Sequence, residues 1–305
     1  MLGLILKRLT VAALVVVVVS VIAFSLVYLS GDPASAIAGE GASQADVEAI
    51  RVQYGFDRPL YEQYLGWAYN ALHGDFGRSY FLRTPVADVI AGHFPITIIL
   101  GLCSIAFALL LSIPMGVLAA LRPNTPIDRL ALAIAVAGQA VPSFLFGLGL
   151  IYVFGVKLGW LPFSGTATWV HYILPSIALG YYATPVIMRL TRSGMLDALQ
   201  SDHVRTARAY GLAPWRVIIK HALRHAMLPV LAVSAVQLGF MLGGSIIIET
   251  VFSMHGLGYL AWISIQRSDL QVIQAILLII AVIYALLTLL ADLLNIFLDP
   301  RLRKQ

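Results

Sequence analysis

The chain has 305 residues, of which 60% are apolar and only 11% charged, with a formal net charge of +5. A soluble domain carries roughly 25% charged and 45–50% apolar residues, so this composition excludes an ordinary globular chain and points to one solvated largely by lipid. The positive balance is no nucleic-acid footprint, because the basic residues sit in short connections beside apolar runs and report topology.

The first apolar run, Leu9–Leu29, follows Lys7 and Arg8. Ala34-Ser35-Ala36 has the small-x-small form of a cleavage site, but a signal core is roughly 7–15 residues and this run is longer. A retained helix is expected. Further spans are predicted at Ile96–Leu121, Ala131–Val156, Ile173–Leu190, Leu228–Val251 and Ile273–Leu298. Each can cross a hydrocarbon core of about 30 Å at about 1.5 Å per residue. The single cysteine, Cys103, lies within one of these runs, excludes an internal disulfide and reads as a small packing residue.

The result is an all-α membrane protein of about six transmembrane helices. Placing the N-terminus in the cytoplasm puts Lys7, Arg8, Arg122, Arg129, Arg189, Arg192, Arg205, Arg208, Arg216, Lys220, Arg224, Arg301, Arg303 and Lys304 on that side. Only Arg51, Arg58, Arg78, Arg83, Lys157 and Arg267 then fall outside, over much more chain, so both termini are expected in the cytoplasm.

Two connections are long. Residues 31–94 are expected to fold outside the membrane as a helical insertion, separating the first helix (1–30) from a five-helix core (95–298) and a short tail (299–305). Ser43 with Asp46 forms a capping-box pattern, Gly55 closes that helix, and a second helix is predicted from Pro59 to Gly74. Tyr61, Tyr64, Trp67 and Tyr69 give it rings suited to a membrane interface. The insertion reads either as a cap over the bundle or as a cap that also meets a partner.

The second long connection, 191–227, lies in the cytoplasm on this reading. Val204–Ala209 suits a short helix, Gly211 breaks it, and Pro214 begins another that runs to Pro229. Small Ala207 and Ala209 among Arg205 and Arg208 suit a docking element, while pattern alone equally allows a basic loop on lipid headgroups. Thr206-Ala207-Arg208-Ala209 through Gly211, with His221, Leu223 and Pro229 beyond, resembles the "EAA" loop of bacterial ABC import permeases. Thr206 stands where that family most often has glutamate, as expected of its dipeptide/oligopeptide/nickel branch, and Tyr210 replaces the branch's lysine.

The resemblance covers nearly the whole chain, through Gly31-Asp32-Pro33, Gly74-Asp75-Phe76-Gly77-Arg78-Ser79, Gly159-Trp160-Leu161-Pro162, Ile173-Leu174-Pro175, Gly243-Gly244-Ser245, Glu249-Thr250-Val251-Phe252, Gly256-Leu257-Gly258 and Asp299-Pro300-Arg301. His255 departs from the family's proline. Arg83-Thr84-Pro85-Val86-Ala87-Asp88 and the segment 171–180 resemble glutathione-importer permeases within the branch.

The resemblance implies a type I importer permease (MetI-like) fold in a bacterial inner membrane and no enzymatic activity in this chain. It also implies a second homologous permease as heterodimer partner, two ATP-binding subunits that hold the ATP and Mg, and a periplasmic substrate-binding protein. Arg205, Thr206, Ala207, Arg208, Ala209 and Gly211 would couple to an ATPase. The implied cargo is a dipeptide or oligopeptide, with glutathione or a nickel chelate as alternatives. The chain itself has no G-x-x-x-x-G-K-[ST] sequence.

The path is expected along the third to fifth spans, and Pro114, Pro142 and Pro185 are each expected to interrupt a membrane helix. Gln139, Ser143 and Gln237 are candidates for substrate contact or for interhelical hydrogen bonds. Gly239 and Gly243 read as close helix packing or as a smooth path lining, and Glu249 as a gate or a structural salt bridge. Asp292 is expected to pair with a basic loop nearby.

Two other functions compete poorly. His221 and His225 have zinc-protease spacing, but the general-base glutamate is missing and Arg224 intervenes. A secondary carrier needs titratable groups near the midplane, and these spans carry almost none.

Overall fold

The computed structural model describes residues 2–29, 31–39 and 41–298. The Asp299-Pro300-Arg301 motif and the basic tail with Arg303 and Lys304 lie outside the described residues. Within them the chain is helical, without a strand beyond one isolated bridge between Arg78 and Pro85.

Helix α1 spans Leu2–Leu29. Three short helices follow: α2 (Pro33–Ala38), α3 (Gln44–Tyr54) and α4 (Leu60–Leu72). The capping box at Ser43 and Asp46 forms, and Gly55 ends α3 with a left-handed φ of 72°. Pro59 caps α4 from outside rather than forming its first turn. The aromatic face of α4 does not only meet lipid: the Tyr64 hydroxyl bonds Ser20 at 2.9 Å, and Phe24 of α1 packs on the rings of Tyr64 and Trp67.

Helix α5 runs Val86–Leu121, starting well before the apolar run that predicted it. At about 1.5 Å per residue its 36 residues reach about 54 Å, longer than a bilayer core is thick. The overhanging first turns are held by protein: Val86 and Ile90 pack with Leu257, Leu260, Val272 and Ile276. Pro114 does not interrupt α5, which continues through it and through Pro95.

The predicted third span is broken. Helix α6 (Pro126–Ala140) and α7 (Ser143–Leu150, continued as a π-helical stretch Ile151–Lys157) meet at 102°. Pro142 removes a donor and pushes Val141 out of the helical region, to φ −108° and ψ 131°. Hydropathy registers only an apolar run and is blind to that bend.

The fourth span is a continuous column over 169–200 containing α8 (Ile173–Gly180) and α9 (Thr184–Gln200), with a 3-10 turn at Tyr181–Ala183 just ahead of Pro185. Helix α10 (Asp202–Ala209) crosses its end. The fifth span begins with a short turn, α11 (Pro214–Arg216), passes a π-helical stretch at Val217–Leu223, and becomes α12 (Arg224–Gly244). It stops at Gly244, so the predicted end at Val251 belongs to a separate helix, α13 (Ile246–Val251). Helices α14 (Leu257–Gln266) and α15 (Leu270–Leu298) complete the chain. Among the described residues five helices are long and apolar enough to cross a membrane, or six if the bent pair is one span.

Small residues let these helices approach. A Cβ on Gly180 would lie 2.3 Å from the Ser104 carbonyl oxygen, and one on Gly116 would lie 2.8 Å from that of Met188. Both glycines are needed where α5 crosses α8 and α9. The main core between them gathers Leu100, Leu174, Ile187, Ile248 and Phe252.

Candidate functional site: a buried carboxylate, a bent helix pair and a basic loop

Glu249 is fully buried, pairs with no cation among the described residues, and is held by hydrogen bonds. One carboxylate oxygen accepts from the Thr97 hydroxyl at 2.7 Å and the Ser245 hydroxyl at 2.8 Å. The other accepts from the Tyr259 backbone N–H at 2.9 Å, in the first turn of α14. Thr97 in turn accepts from the Leu257 N–H at 2.7 Å. The carboxylate thus satisfies orphan donors at the N-terminus of α14, where negative charge is also favoured by the helix dipole. It ties α5, α13 and α14 together. The salt-bridge half of the sequence expectation is corrected: hydrogen-bond donors hold Glu249.

The Gly256-Leu257-Gly258 motif follows from this site. A Cβ on Gly256 would fall 2.5 Å from the Thr97 hydroxyl and 2.6 Å from Glu249 Oε2, and one on Gly258 would fall 2.7 Å from the Ile246 Cα. His255 stacks edge-on against Tyr259 at 4.6 Å instead of entering the network.

Two further carboxylates matter that sequence reasoning did not single out. Asp269, also buried, accepts from the backbone N–H groups of Tyr80 and Phe81 at 3.2 and 3.4 Å and from the Ser79 hydroxyl, pinning the 75–85 loop to the α14–α15 turn. Asp128, buried in the first turn of α6, takes a two-pronged grip from Arg192 of α9 with both contacts at 2.7 Å. The Asn124 N–H adds a third bond at 2.9 Å. An acidic residue two positions after Pro126 was the only available signal, and it reads equally as an ordinary first-turn charge. Asp292 pairs at 2.7 Å with Arg8 on α1, a helix partner rather than a loop.

The path candidates separate. Gln139 is exposed beside the α6–α7 bend and reaches the Tyr182 carbonyl only at 3.4 Å. Ser143 opens α7 at the bend itself and Gln237 is half-buried on α12. Gly239 faces α15: a Cβ there would meet the Tyr284 ring at 2.7 Å, which is the close-packing alternative. Gly243 is looser, with Ile280 at 3.7 Å from its virtual Cβ.

The loop forms as its residues predict. Helix α10 ends, Gly211 turns the chain with φ +73°, and Pro214 starts the next helix. Arg205, Thr206, Arg208 and Ala209 are exposed, as is Tyr210. Ala207 departs from the expected outer surface. It is buried with Val204 against Met195, Ala198, Val217 and Ala222 of the same chain, because α10 is amphipathic and its small residues seat it on α9. The His225 ring packs at a tilt against His203 with centroids 4.4 Å apart, and no group of three or more His, Cys, Asp or Glu among the described residues could hold a metal.

Residues 112–304 match the family described as binding-protein-dependent transport system inner membrane component, and residues 1–101 match its N-terminal companion. The chain belongs to this family and is the permease component of an ABC importer. It is 43% identical, over 99% of both chains, to glutathione transport system permease proteins GsiC of Shigella flexneri serotype 5b and Escherichia coli K12. Among solved structures it is similar to inward-facing MetNI methionine ABC transporter chains, with TM-scores of 0.56 and 0.58 at 19% and 18% identity. Each match covers 69% of this chain and 96% of the other. The fold is the MetI-like type I importer permease fold.

Proposed function

We propose that this chain forms one half of the path of an importer for short peptides, glutathione first among them. Its partners on this reading are a second related permease, two ATP-hydrolysing subunits that bind the ATP and Mg, and a periplasmic substrate-binding protein. The observation that carries the substrate is the 43% identity over 99% of the chain with permeases named for glutathione transport. The broader dipeptide and oligopeptide reading rests on the branch motifs alone. In the inner membrane both termini face the cytoplasm, which is supported by the excess of Lys and Arg beside those ends.

The complex reconstituted with its binding protein is expected to take up labelled glutathione when ATP is supplied inside, with unlabelled glutathione competing better than alanyl-alanine or a nickel chelate. Uptake of either competitor with no glutathione uptake would sink the substrate assignment.

The 201–212 loop is the proposed ATPase dock. Exposed Arg205 and Arg208 flank an outward surface that also bears Tyr210 and Trp215, 81% and 61% exposed. Such rings beside arginines suit a protein partner. Arg205→Glu, and separately Gly211→Val, which strains a left-handed residue by about 1–2 kcal/mol, are expected to lower ATPase co-purification several-fold at unchanged membrane yield. Recovery of the ATPases at the wild-type ratio with both variants would reject the dock.

A further inference from the structure

Helix α4 meets α1 at a depth inside the membrane. The Arg8–Asp292 ion pair marks the polar edge at one end of the α1 span, because charges avoid the hydrocarbon interior. Measured from Arg8 at about 1.5 Å per residue, a core of about 30 Å ends near Tyr28. Phe24 then lies about 6 Å inside the hydrocarbon, and the rings of Tyr64 and Trp67 pack on it with centroids 5.5 and 6.0 Å away. In-plane amphipathic helices settle about 5–10 Å deep. The faces of α4 agree with that position. Glu62, Gln63 and Asn70 line a polar cavity together with Arg58 and Asp75, while Tyr61, Leu65, Tyr69 and Leu72 form an exposed stripe at helical spacing.

A groove of about 410 Å³ opens between the two helices, lined by Val21, Phe24 and Leu29 of α1 and by Leu60, Tyr61 and Tyr64 of α4. The polar side chains along it are already bonded within the chain. The Ser25 hydroxyl donates to the Val21 carbonyl at 2.7 Å, Tyr28 donates to Gln63, and Tyr61 donates to Glu62 at 3.2 Å. The Tyr64 hydroxyl shares its bond with Ser20 at 2.9 Å. What remains to face an occupant is hydrocarbon and ring surface, which suits no polar solute. Towards the midplane the groove continues into the exposed Leu14, Val17, Val18 and Ile22 of α1, a span that the rest of the chain covers little.

We propose that this groove is a lipid site: it holds an acyl chain of a phospholipid from the leaflet opposite the N-terminus, with α4 lying in that leaflet as its wall. A helix from another subunit does not suit it. A helix about 10 Å across would fill 410 Å³ in about one turn, and Leu60, Tyr61 and Tyr64 close the groove on the α4 side. A hydrocarbon chain is thin enough to enter, and it brings no polar group that the groove would have to satisfy.

The test places a photo-reactive side chain at the groove, Tyr61→p-benzoylphenylalanine, in the assembled complex expressed in membranes of phosphatidylethanolamine and phosphatidylglycerol. The complex is extracted in detergent and irradiated, and the α4 peptide is weighed by mass spectrometry. A phospholipid adduct is expected, several-fold more abundant than at Leu14→p-benzoylphenylalanine, an exposed position of α1 outside the groove where detergent strips loosely held lipid. Ser25→Trp and, from the opposite wall, Leu60→Trp fill the groove. Each is expected to cut the Tyr61 adduct by about tenfold, the loss of contact to about two methylene groups. A cross-link from Tyr61 to another subunit would give the groove to a protein and overturn the proposal. So would the absence of a lipid adduct, an adduct no more abundant than at Leu14, or one that neither filled variant reduces.

Discussion

Glu249→Ala is expected to destabilise the protein by about 3 kcal/mol, because it leaves two buried donors and one half-buried donor without this acceptor. Two are hydroxyls that can rotate towards other acceptors; the Tyr259 N–H cannot. Glu249→Gln should cost less, about 1–2 kcal/mol, since its carbonyl oxygen can keep the backbone donor while the amide faces the hydroxyls. The order, alanine worse than glutamine, is the informative part. It is read from the thermal midpoints of the detergent-purified proteins. A gate that acts by charge alone would give full stability in both variants with transport lost, and that result would reject the clamp described here.

The second large effect concerns Asp128 and Arg192. Removing one partner of a buried, two-pronged ion pair typically costs about 3–5 kcal/mol, because the other charge is left unsatisfied. Here only the carboxylate is buried, at 3% exposed, while Arg192 is half-buried and the Asn124 N–H remains, so Arg192→Ala is expected at or below the lower end of that range. Asp128→Asn, which keeps the Asn124 N–H acceptor, should cost less. The double variant Asp128→Ala with Arg192→Ala should recover part of the loss, with a coupling energy of about 1–3 kcal/mol. Additive losses would mean that the pair does not act as a unit. Because the pair joins α6 to α9 close to where α10 departs, a partner pulling on the 201–212 loop would pull on α6 through it.

The small-residue docking idea shows why local pattern has a limit. Alanine at 207 is equally suited to admitting a partner's backbone and to seating α10 on its own chain, and only the direction in which α10 faces α9 separates the two. Ala207→Asp therefore attacks this chain's own packing before it attacks any dock. Helix ends behaved similarly. Hydropathy placed the start of α5 at the first long apolar run, but α5 extends back to Val86 because its early turns are covered by α14 and α15.

Residue chemistry by itself determined what local forces decide. The number of apolar runs, the capping box at Ser43, the left-handed stops at Gly55 and Gly211, and the excess of basic residues beside particular loops are all properties of neighbours in the chain. Tertiary structure alone decided which polar groups are buried and by what they are satisfied. Pro142 marked the break in the third span from the sequence, while the 102° angle between its two halves appears only in the folded chain. Glu249 finds Thr97 across 152 residues of chain, and Arg192 finds Asp128 across 64. The glycines at 256 and 258 have their reason only once that carboxylate and Ile246 are beneath them. A buried charge is stable only where donors from distant segments converge on it, and no run of neighbouring residues states where that will be.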